Sequence, residues 1–184
     1  MFVLPKFREL SMIIYLTLFC VFAVLFRLGS LLISLRHEAA LRKSGAVEIG
    51  RKNTTVLAVA HVLYYVCAII EAAFRPNDTG PALWLGILLY LVGILALVFV
   101  IRLLGPLWTV KLLIARDHVL VKHRLFRWFR HPNYFLNILP ELAGLALILN
   151  AHTTFVVGLS LYAVPLTIRV RQEEAAMRAR FRDY

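Results

Sequence analysis

Apolar residues along this chain form long runs with few charges, separated by short polar segments. The runs cover residues 10–35, 54–74, 82–104, 133–150 and 152–168. About 20 apolar residues are enough for an α-helix to cross the hydrocarbon core of a bilayer. The pattern therefore predicts an all-α, polytopic integral membrane bundle of about five transmembrane helices, in a single domain over residues 1–184.

The connections refine this topology. Only Asn150-Ala151-His152 separates the last two runs, and a connection that short predicts an antiparallel helical hairpin. The charged segment 169–184 predicts a further helix after the hairpin. The polar segment 36–43 predicts a short amphipathic helix that ends at Gly45.

Charge sets the expected orientation. The chain has 21 Lys and Arg residues against 10 Asp and Glu residues, and its mean hydropathy is +0.78. The basic residues collect in segments 36–53, 107–130 and 169–184, beside apolar runs, which favours membrane orientation and anionic-lipid contact over nucleic-acid binding. Five spans put all three segments on one side. We therefore expect them in the cytoplasm, with the N-terminus outside, the C-terminus inside and, in a bacterium, insertion in the inner membrane.

The two cysteines, Cys20 and Cys67, both lie inside apolar runs. Two such residues indicate packing, and they predict neither a disulfide nor a metal site.

The most chemically varied stretch is Arg130-His131-Pro132-Asn133-Tyr134, where a basic segment meets an apolar run. Pro132 suits the first turn of a helix. Along that helix, Tyr134, Asn137 and Glu141 share one face at i, i+3 and i+7. Polar stripes of this kind face the interior of a bundle or a wet cavity.

Two interpretations of this stripe remain open. Glu141 could pair with Arg27 or His61 and hold helices together, or the stripe with His61 could line a ligand pocket. Arg27 has two interpretations as well. It either extends its side chain to the membrane interface or faces an internal polar site.

The hairpin should return the chain beside Arg130 and His131. The tail that emerges there begins with two arginines and two glutamates, Arg169, Arg171, Glu173 and Glu174. Such a cluster is either a solvated helix with internal ion pairs or a site for a zwitterion, in which Arg binds a carboxylate and Glu accepts from an ammonium.

These motifs together resemble a known family. R-H-P-N-Y at the start of a helical hairpin, followed by R-x-R-x-E-E, is similar to the isoprenylcysteine carboxyl methyltransferases, integral membrane enzymes that use S-adenosylmethionine. The resemblance covers Trp108–Tyr184. The pattern R-H-E…G-A-x-E-x-G…H between Arg36 and His61 resembles the bacterial branch, some of whose members accompany polyketide synthases and O-methylate lipid-like alkylpyrones.

The resemblance implies a role for each matching position. The cofactor-binding segments would be 105–132 and 169–184, both cytoplasmic. Cofactor contacts would come from His131, Pro132, Tyr134, Glu173 and the backbone between Leu120 and Phe126. Catalytic residues at the junction with the acceptor would be Arg130, Arg169 and Glu174. One departure is Arg124-Leu125-Phe126, where the family has Gly-Pro-Tyr or Gly-Leu-Tyr.

The implied reaction is methyl transfer from S-adenosylmethionine to an oxygen, either a carboxylate or an acidic hydroxyl. The acceptor would be a lipophilic small molecule or a prenylcysteine-like compound, reached from membrane lipid. An acceptor that is already ionised needs no strong base, whereas a neutral alcohol would need Glu141, Glu174 or His61 as the base. Asn137, Glu141 and His61 are the candidate residues of the substrate pocket.

Two other functions fit parts of the pattern. NADPH-dependent sterol-type membrane reductases share a His-x-Asn-Tyr element, but this chain is short for that group and has Asn137 where an acidic residue is expected. A non-enzymatic membrane protein whose basic loops bind anionic lipid or a partner is the other alternative.

Overall fold

The computed structural model describes residues 3–75, 80–114, 123–128 and 130–180, with side chains described from residue 10 onward and not at residue 127. It confirms the predicted all-α membrane bundle. The helices are α1 (Val3–Lys43), α2 (Arg51–Ala73), α3 (Pro81–Leu104), α4 (Arg124–Trp128), α5 (Leu139–Ile148) and α6 (Leu159–Arg180). A 3₁₀ turn follows α3 (Gly105–Leu107), and π-helical turns precede α5 (Asn133–Ile138) and α6 (Thr154–Gly158).

Within the described residues, four helical segments are long and apolar enough to cross a membrane: Leu10–Lys43, Arg51–Ala73, Pro81–Leu107 and Thr154–Arg180. The segment Asn133–Ile148 is apolar but shorter. Large apolar side chains such as Leu18, Leu95 and Leu161 are exposed on the outside of the bundle. An apolar exterior is the surface expected in contact with lipid.

Two helices extend beyond their predicted ends. α1 continues through residues 36–43 without a break, so this segment is not the separate amphipathic helix that the sequence predicts. α6 likewise continues from the apolar run into the charged tail, which is not a separate helix either. Polarity changes at a membrane surface, but a helix ends only where its backbone hydrogen bonds end. The chain first takes a positive φ after α1 at Gly45, where φ is 80°.

Close packing of α3 on α5 holds the hairpin against the bundle. A Cβ atom added to Gly144 would lie 2.5 Å from the Tyr90 backbone nitrogen and 2.6 Å from the Gly86 carbonyl oxygen. A Cβ atom added to Gly93 would lie 2.9 Å from the Glu141 Cβ atom of α5. Small residues at helix interfaces in membranes let backbones approach in this way, and α5 is fixed by that approach.

A two-stranded antiparallel sheet, which the sequence analysis did not predict, lies at the end of the bundle where α1 ends and α2 begins. Strand β1 (Val47–Ile49) pairs with β2 (Leu112–Ile114), with Glu48 opposite Leu113. The sheet ties the α1–α2 connection to the segment after α3. We call this end, formed by residues 36–53, 105–114, 130–133 and 169–180, the basic end.

The opposite end is held by a carboxylate cap. Glu71 of α2 accepts hydrogen bonds from the backbone nitrogens of Thr153 and Thr154, each at 2.8 Å, and from the Thr154 hydroxyl. A carboxylate at a helix N-terminus satisfies donors that have no partner within the helix. This contact fixes the start of the helical segment that leads into α6.

We expect Gly144→Ala to destabilise the protein by about 1–3 kcal/mol, because the added methyl group meets backbone atoms of α3 that cannot move independently. Thermal or denaturant unfolding in detergent measures the change. Gly29→Ala is the matched control, since a Cβ at Gly29 meets nothing within 4 Å. Equal stability of the two variants would contradict the tight α3–α5 contact.

Candidate active site

The π-helical turn after Pro132 starts the hairpin and turns two polar side chains inward. Pro132 has φ −63° and needs no hydrogen bond from its nitrogen at this position. The backbone nitrogens of Tyr134 and Phe135 donate to the His131 carbonyl at 3.1 and 3.2 Å. Tyr134 and Asn137 are both buried. π-Helical turns within helices are frequent at functional sites.

The charged part of α6 lies beside this turn. The Tyr134 hydroxyl donates to Glu173 Oε2 at 2.5 Å. The His131 ring nitrogens lie 3.5 Å from Glu173 Oε1 and 3.4 Å from Glu174 Oε1. The His131 and Tyr134 rings are stacked with centroids 5.7 Å apart. The hairpin therefore brings the R-H-P-N-Y and R-x-R-x-E-E motifs together.

This arrangement favours the protonated form of the His131 imidazole. Burial lowers the pKa of its imidazole, but the hydrogen bonds and negative charges of Glu173 and Glu174 outweigh burial, and the pKa stands above its usual value. A protonated imidazole can donate to both carboxylates at once.

Arg169 connects three separate parts of the chain at this point. Its Nε donates to the Tyr134 hydroxyl at 3.2 Å, its Nη1 to the Thr54 hydroxyl of α2 at 2.8 Å, and its Nη2 to the Val110 carbonyl at 2.9 Å. The residue is only 3% exposed. All three acceptors are uncharged, and within the described residues no carboxylate oxygen lies within ion-pair distance of Arg169.

A cavity of about 180 Å³ opens at the basic end beside these residues, and we call it the basic-end cavity. Its lining combines charged, aromatic and apolar residues. The charged and aromatic residues are Trp108, Lys111, Phe126, Arg130, His131, Tyr134, Arg169 and Glu173; the apolar residues include Val100, Leu104, Leu107, Leu112, Leu113, Ile114, Pro132 and Met177. Leu120, also a predicted cofactor contact, lies outside the described residues.

A second cavity, of about 390 Å³, lies between α1 and α2, and we call it the lateral cavity. Its apolar wall includes Val24, Leu28, Val62 and Val66, which are also exposed on the outer surface of the bundle. The lining extends along α2 from Thr54 to Ile69, roughly 20 Å at the rise of an α-helix. It is therefore a long apolar cleft that faces the lipid.

The two cavities share one wall. Four residues line both of them: Trp108, Asn133, Tyr134 and Arg169. Trp108 is 4% exposed, and its carbonyl oxygen lies 2.8 Å from His37 Nδ1. A cavity lined by several charged side chains at the basic end thus meets an apolar cleft within the bundle, with the buried Arg169 side chain between them.

Arg27 and Glu141 form an ion pair deep in the bundle, so one of the open interpretations is confirmed. Arg27 Nε donates to Glu141 Oε1 at 2.6 Å, and Arg27 Nη2 contacts Glu141 Oε2, giving a parallel, two-pronged pair. The Tyr65 hydroxyl also donates to Glu141 Oε1. Arg27 therefore faces an internal polar site and does not extend to the interface.

The remaining predicted residues separate into two groups. Asn137 and His61 line the lateral cavity, whereas Glu141 lies behind Arg27 and lines neither cavity within the described residues. Asn137 Nδ2 donates to Asn133 Oδ1 at 3.0 Å. Glu174 also lies outside both linings; it contacts His131 and accepts from Arg178 Nη2 at 3.0 Å.

Trp108 and Thr54 are the site residues that sequence reasoning missed. Trp108 follows the Gly105-Pro106 break, where the chain leaves α3 and turns back under the bundle. In the sequence, this helix break next to an aromatic residue is the feature that could have identified Trp108. Thr54 carried no signal, because a single threonine in the first turn of an apolar helix is common. Thr54 is identified as a site residue only by its contact with Arg169 in the structure.

The chain was compared with known proteins. The family model described as isoprenylcysteine carboxyl methyltransferase matches residues 84–179. An uncharacterized protein of Haemophilus influenzae is 43% identical over 164 residues, covering 89% of this chain and 94% of that protein. The uncharacterized protein YpbQ of Bacillus subtilis is 28% identical over 152 residues, 82% of this chain and 89% of that protein. No solved structure matches the chain significantly.

We expect His131 to make stability depend on pH. Its pKa is raised on folding, so its contribution is fully present below the unfolded value of about 6.5 and is lost as the pH rises through the folded value. The melting temperature of the wild type should fall over that window, and His131→Gln should lack this part of the pH dependence. Parallel pH curves for the two proteins would contradict the contact with Glu173 and Glu174.

Proposed function

Because the chain belongs to the isoprenylcysteine carboxyl methyltransferase family, and is thus a membrane methyltransferase, we propose that it transfers a methyl group from S-adenosylmethionine to an oxygen of a lipophilic acceptor. The observation that carries this proposal is the wall shared by two cavities, one lined by several charged side chains and the other almost entirely apolar. A methyltransferase that joins a water-soluble cofactor to a lipid must expose one face of its reaction site to each phase.

The basic-end cavity has side chains that fit the cofactor. Glu173 offers a carboxylate for the ammonium group, and Arg130 a guanidinium for the carboxylate end. Leu112, Leu113 and Phe126 offer an apolar and aromatic surface for the adenine ring. When bound, S-adenosylmethionine supplies an electrophilic methyl group on a positively charged sulfur. His131 supports this site indirectly, because its imidazole contacts the Glu173 carboxylate and helps to fix its position.

The lateral cavity fits the hydrocarbon part of an acceptor. Its length along α2 and its apolar lining suit a single lipid chain, which would enter sideways between α1 and α2. We place the basic end in the cytoplasm, as the positive-inside rule predicts. The acceptor then keeps its chain in the membrane while its polar head lies at the wall formed by Trp108, Asn133, Tyr134 and Arg169.

Arg169 determines which acceptor heads are favoured. Its three hydrogen bonds go to uncharged oxygens, so its positive charge is not cancelled by a direct partner. A buried positive charge stabilises an anionic oxygen strongly, because little water screens it. A carboxylate or an acidic hydroxyl is therefore the expected methyl acceptor, and both prenylcysteine-like acids and alkylpyrone-like enols belong to this class.

Methyl transfer to such an oxygen needs alignment more than acid–base chemistry. The new carbon–oxygen bond forms as the carbon–sulfur bond breaks, and the electron pair of that bond stays on sulfur. The acceptor enters as an anion, so no proton has to be removed. The residues of the shared wall would orient the oxygen, and the surrounding apolar cleft would exclude water.

The direct test is methyl transfer by purified protein in lipid nanodiscs. The reaction contains S-adenosylmethionine with a labelled methyl group and a total lipid extract of the source cells, and mass spectrometry identifies the labelled lipids. We expect label in a lipid carrying a new methyl ester or enol ether. Absence of labelled lipid, together with oxidation of NADPH by the same preparation, would support the reductase alternative and overturn the proposal.

We expect Glu173→Gln to weaken binding of S-adenosylmethionine by roughly tenfold or more, because a charge-assisted hydrogen bond contributes about 1.5–3 kcal/mol. Equilibrium binding of the labelled cofactor measures the change. Glu48→Gln is the matched control, since Glu48 is an acidic residue of the same end that pairs with Arg42 and lines neither cavity within the described residues. Unchanged affinity in Glu173→Gln would remove Glu173 from the cofactor site.

In contrast, Arg169→Gln should mainly lower the turnover number. The side chain lies at the wall between the two cavities, and its charge acts on the acceptor oxygen. Steady-state kinetics with the lipid acceptor separate turnover from the KM for the cofactor. A variant with normal turnover and only a raised KM for S-adenosylmethionine would show that Arg169 serves cofactor binding instead.

A further inference from the structure

An arginine side chain lines the lateral cavity well inside the bundle. Arg27 of α1 lines this cavity, and its side chain keeps 19% of its exposure although it is paired with Glu141. Two of its three guanidinium nitrogens are occupied. Nε and Nη2 bind Glu141, and Nη2 also lies 3.4 Å from Asn137 Oδ1. Nη1 has no hydrogen-bond partner within the described residues.

The position of Arg27 is well separated from the shared wall. The Ser34 hydroxyl accepts from the Val110 backbone nitrogen at 2.8 Å, which fixes the level of the shared wall on α1. Arg27 precedes Ser34 by seven residues, or about 10 Å along the helix. His61, seven residues beyond Thr54 on α2, lies at a similar depth and also lines the cavity.

Burying a guanidinium at this depth costs free energy. The helices could pack against each other without that cost. A buried ion pair is often no more stabilising than apolar residues of similar volume. Arg27 lines this apolar cleft, where lipid chains offer no acceptor to the N–H groups of its guanidinium. A ligand oxygen at this depth would satisfy them, and the polar part of the lining here includes Arg27, His61, Tyr65 and Asn137.

We propose that Arg27 binds an oxygen within the hydrocarbon part of the methyl acceptor, up to about 10 Å deeper in the bundle than the methylated oxygen. The substrate class is thus an acidic lipid with a second oxygen function along its chain, such as a carbonyl, hydroxyl or ether. Plain prenyl and alkyl acids lack that group and are poorer substrates. Glu141 positions the guanidinium, and Asn137 links it to Asn133 at the shared wall. The inference rests on the proposed methyltransferase function.

The test compares two acceptors in one reaction. Purified protein in nanodiscs receives labelled S-adenosylmethionine with total lipid extract of the source cells, supplemented with equal amounts of octadecanoic acid and a mid-chain keto-octadecanoic acid. The label in each product is measured by mass spectrometry. We expect lipids with a chain oxygen to be labelled about tenfold more efficiently than plain-chain acids, as one hydrogen bond to a charged donor predicts.

The variants isolate Arg27 from its structural role. Arg27→Met alone would leave Glu141 unpaired in the membrane, so Arg27→Met/Glu141→Gln removes both charges together. In this double variant, the ratio of labelled keto acid to labelled plain acid should fall to about one. The matched control, Glu71→Gln/Arg75→Met, removes an ion pair at the opposite end, outside both cavities, and should keep the wild-type ratio.

Each outcome decides between the two claims. No labelled lipid with the wild type means that the proposed function fails, and the inference fails with it. Labelled lipid without preference for the chain oxygen overturns the inference alone. A preference that survives in the double variant also overturns it and leaves the Arg27–Glu141 pair as a helix contact only. A preference that is lost in the double variant and kept in the matched control supports it.

Discussion

The site depends on one buried guanidinium. Arg169 donates hydrogen bonds to the hairpin through Tyr134, to α2 through Thr54, and to the segment after α3 through Val110. These parts are far apart in the sequence and have no other common partner of this kind within the described residues. Planar arginine suits such a role, because its donors point in fixed directions and its charge is never lost. Its side chain also forms part of the wall that the two cavities share.

The bilayer explains why polar groups occur in two layers. At the basic end, Arg169, His131 and Glu173 line the cavity that we propose for the cofactor. Deeper in the bundle, charge is tolerated only in pairs, and Arg27 and Glu141 satisfy that condition with help from Tyr65. The apolar cleft connects the two layers. On the proposed function, the basic end would bind the cofactor and the lateral cavity would bind the acceptor.

Much of this arrangement could be predicted from the sequence, and the rest could not. Apolar runs and a three-residue connection predicted the helices and the hairpin, because bilayer thickness and chain length leave few alternatives. Spacing alone placed Tyr134, Asn137 and Glu141 on one face. It left the partner of Glu141 open between Arg27 and His61, since contacts between distant segments carry no local signal. The short β1–β2 sheet and the role of Thr54 were missed for the same reason.

A structure of the protein with bound S-adenosylhomocysteine would show whether the two cavities have the proposed roles. We expect the sulfur of this product to lie against the wall formed by Trp108, Asn133, Tyr134 and Arg169, with the amino-acid end near Glu173 and the adenine against apolar residues of the basic-end cavity. The sulfur would then point toward the lateral cavity. A product bound elsewhere, or with its sulfur turned to solvent away from that wall, would contradict the assignment of the two cavities.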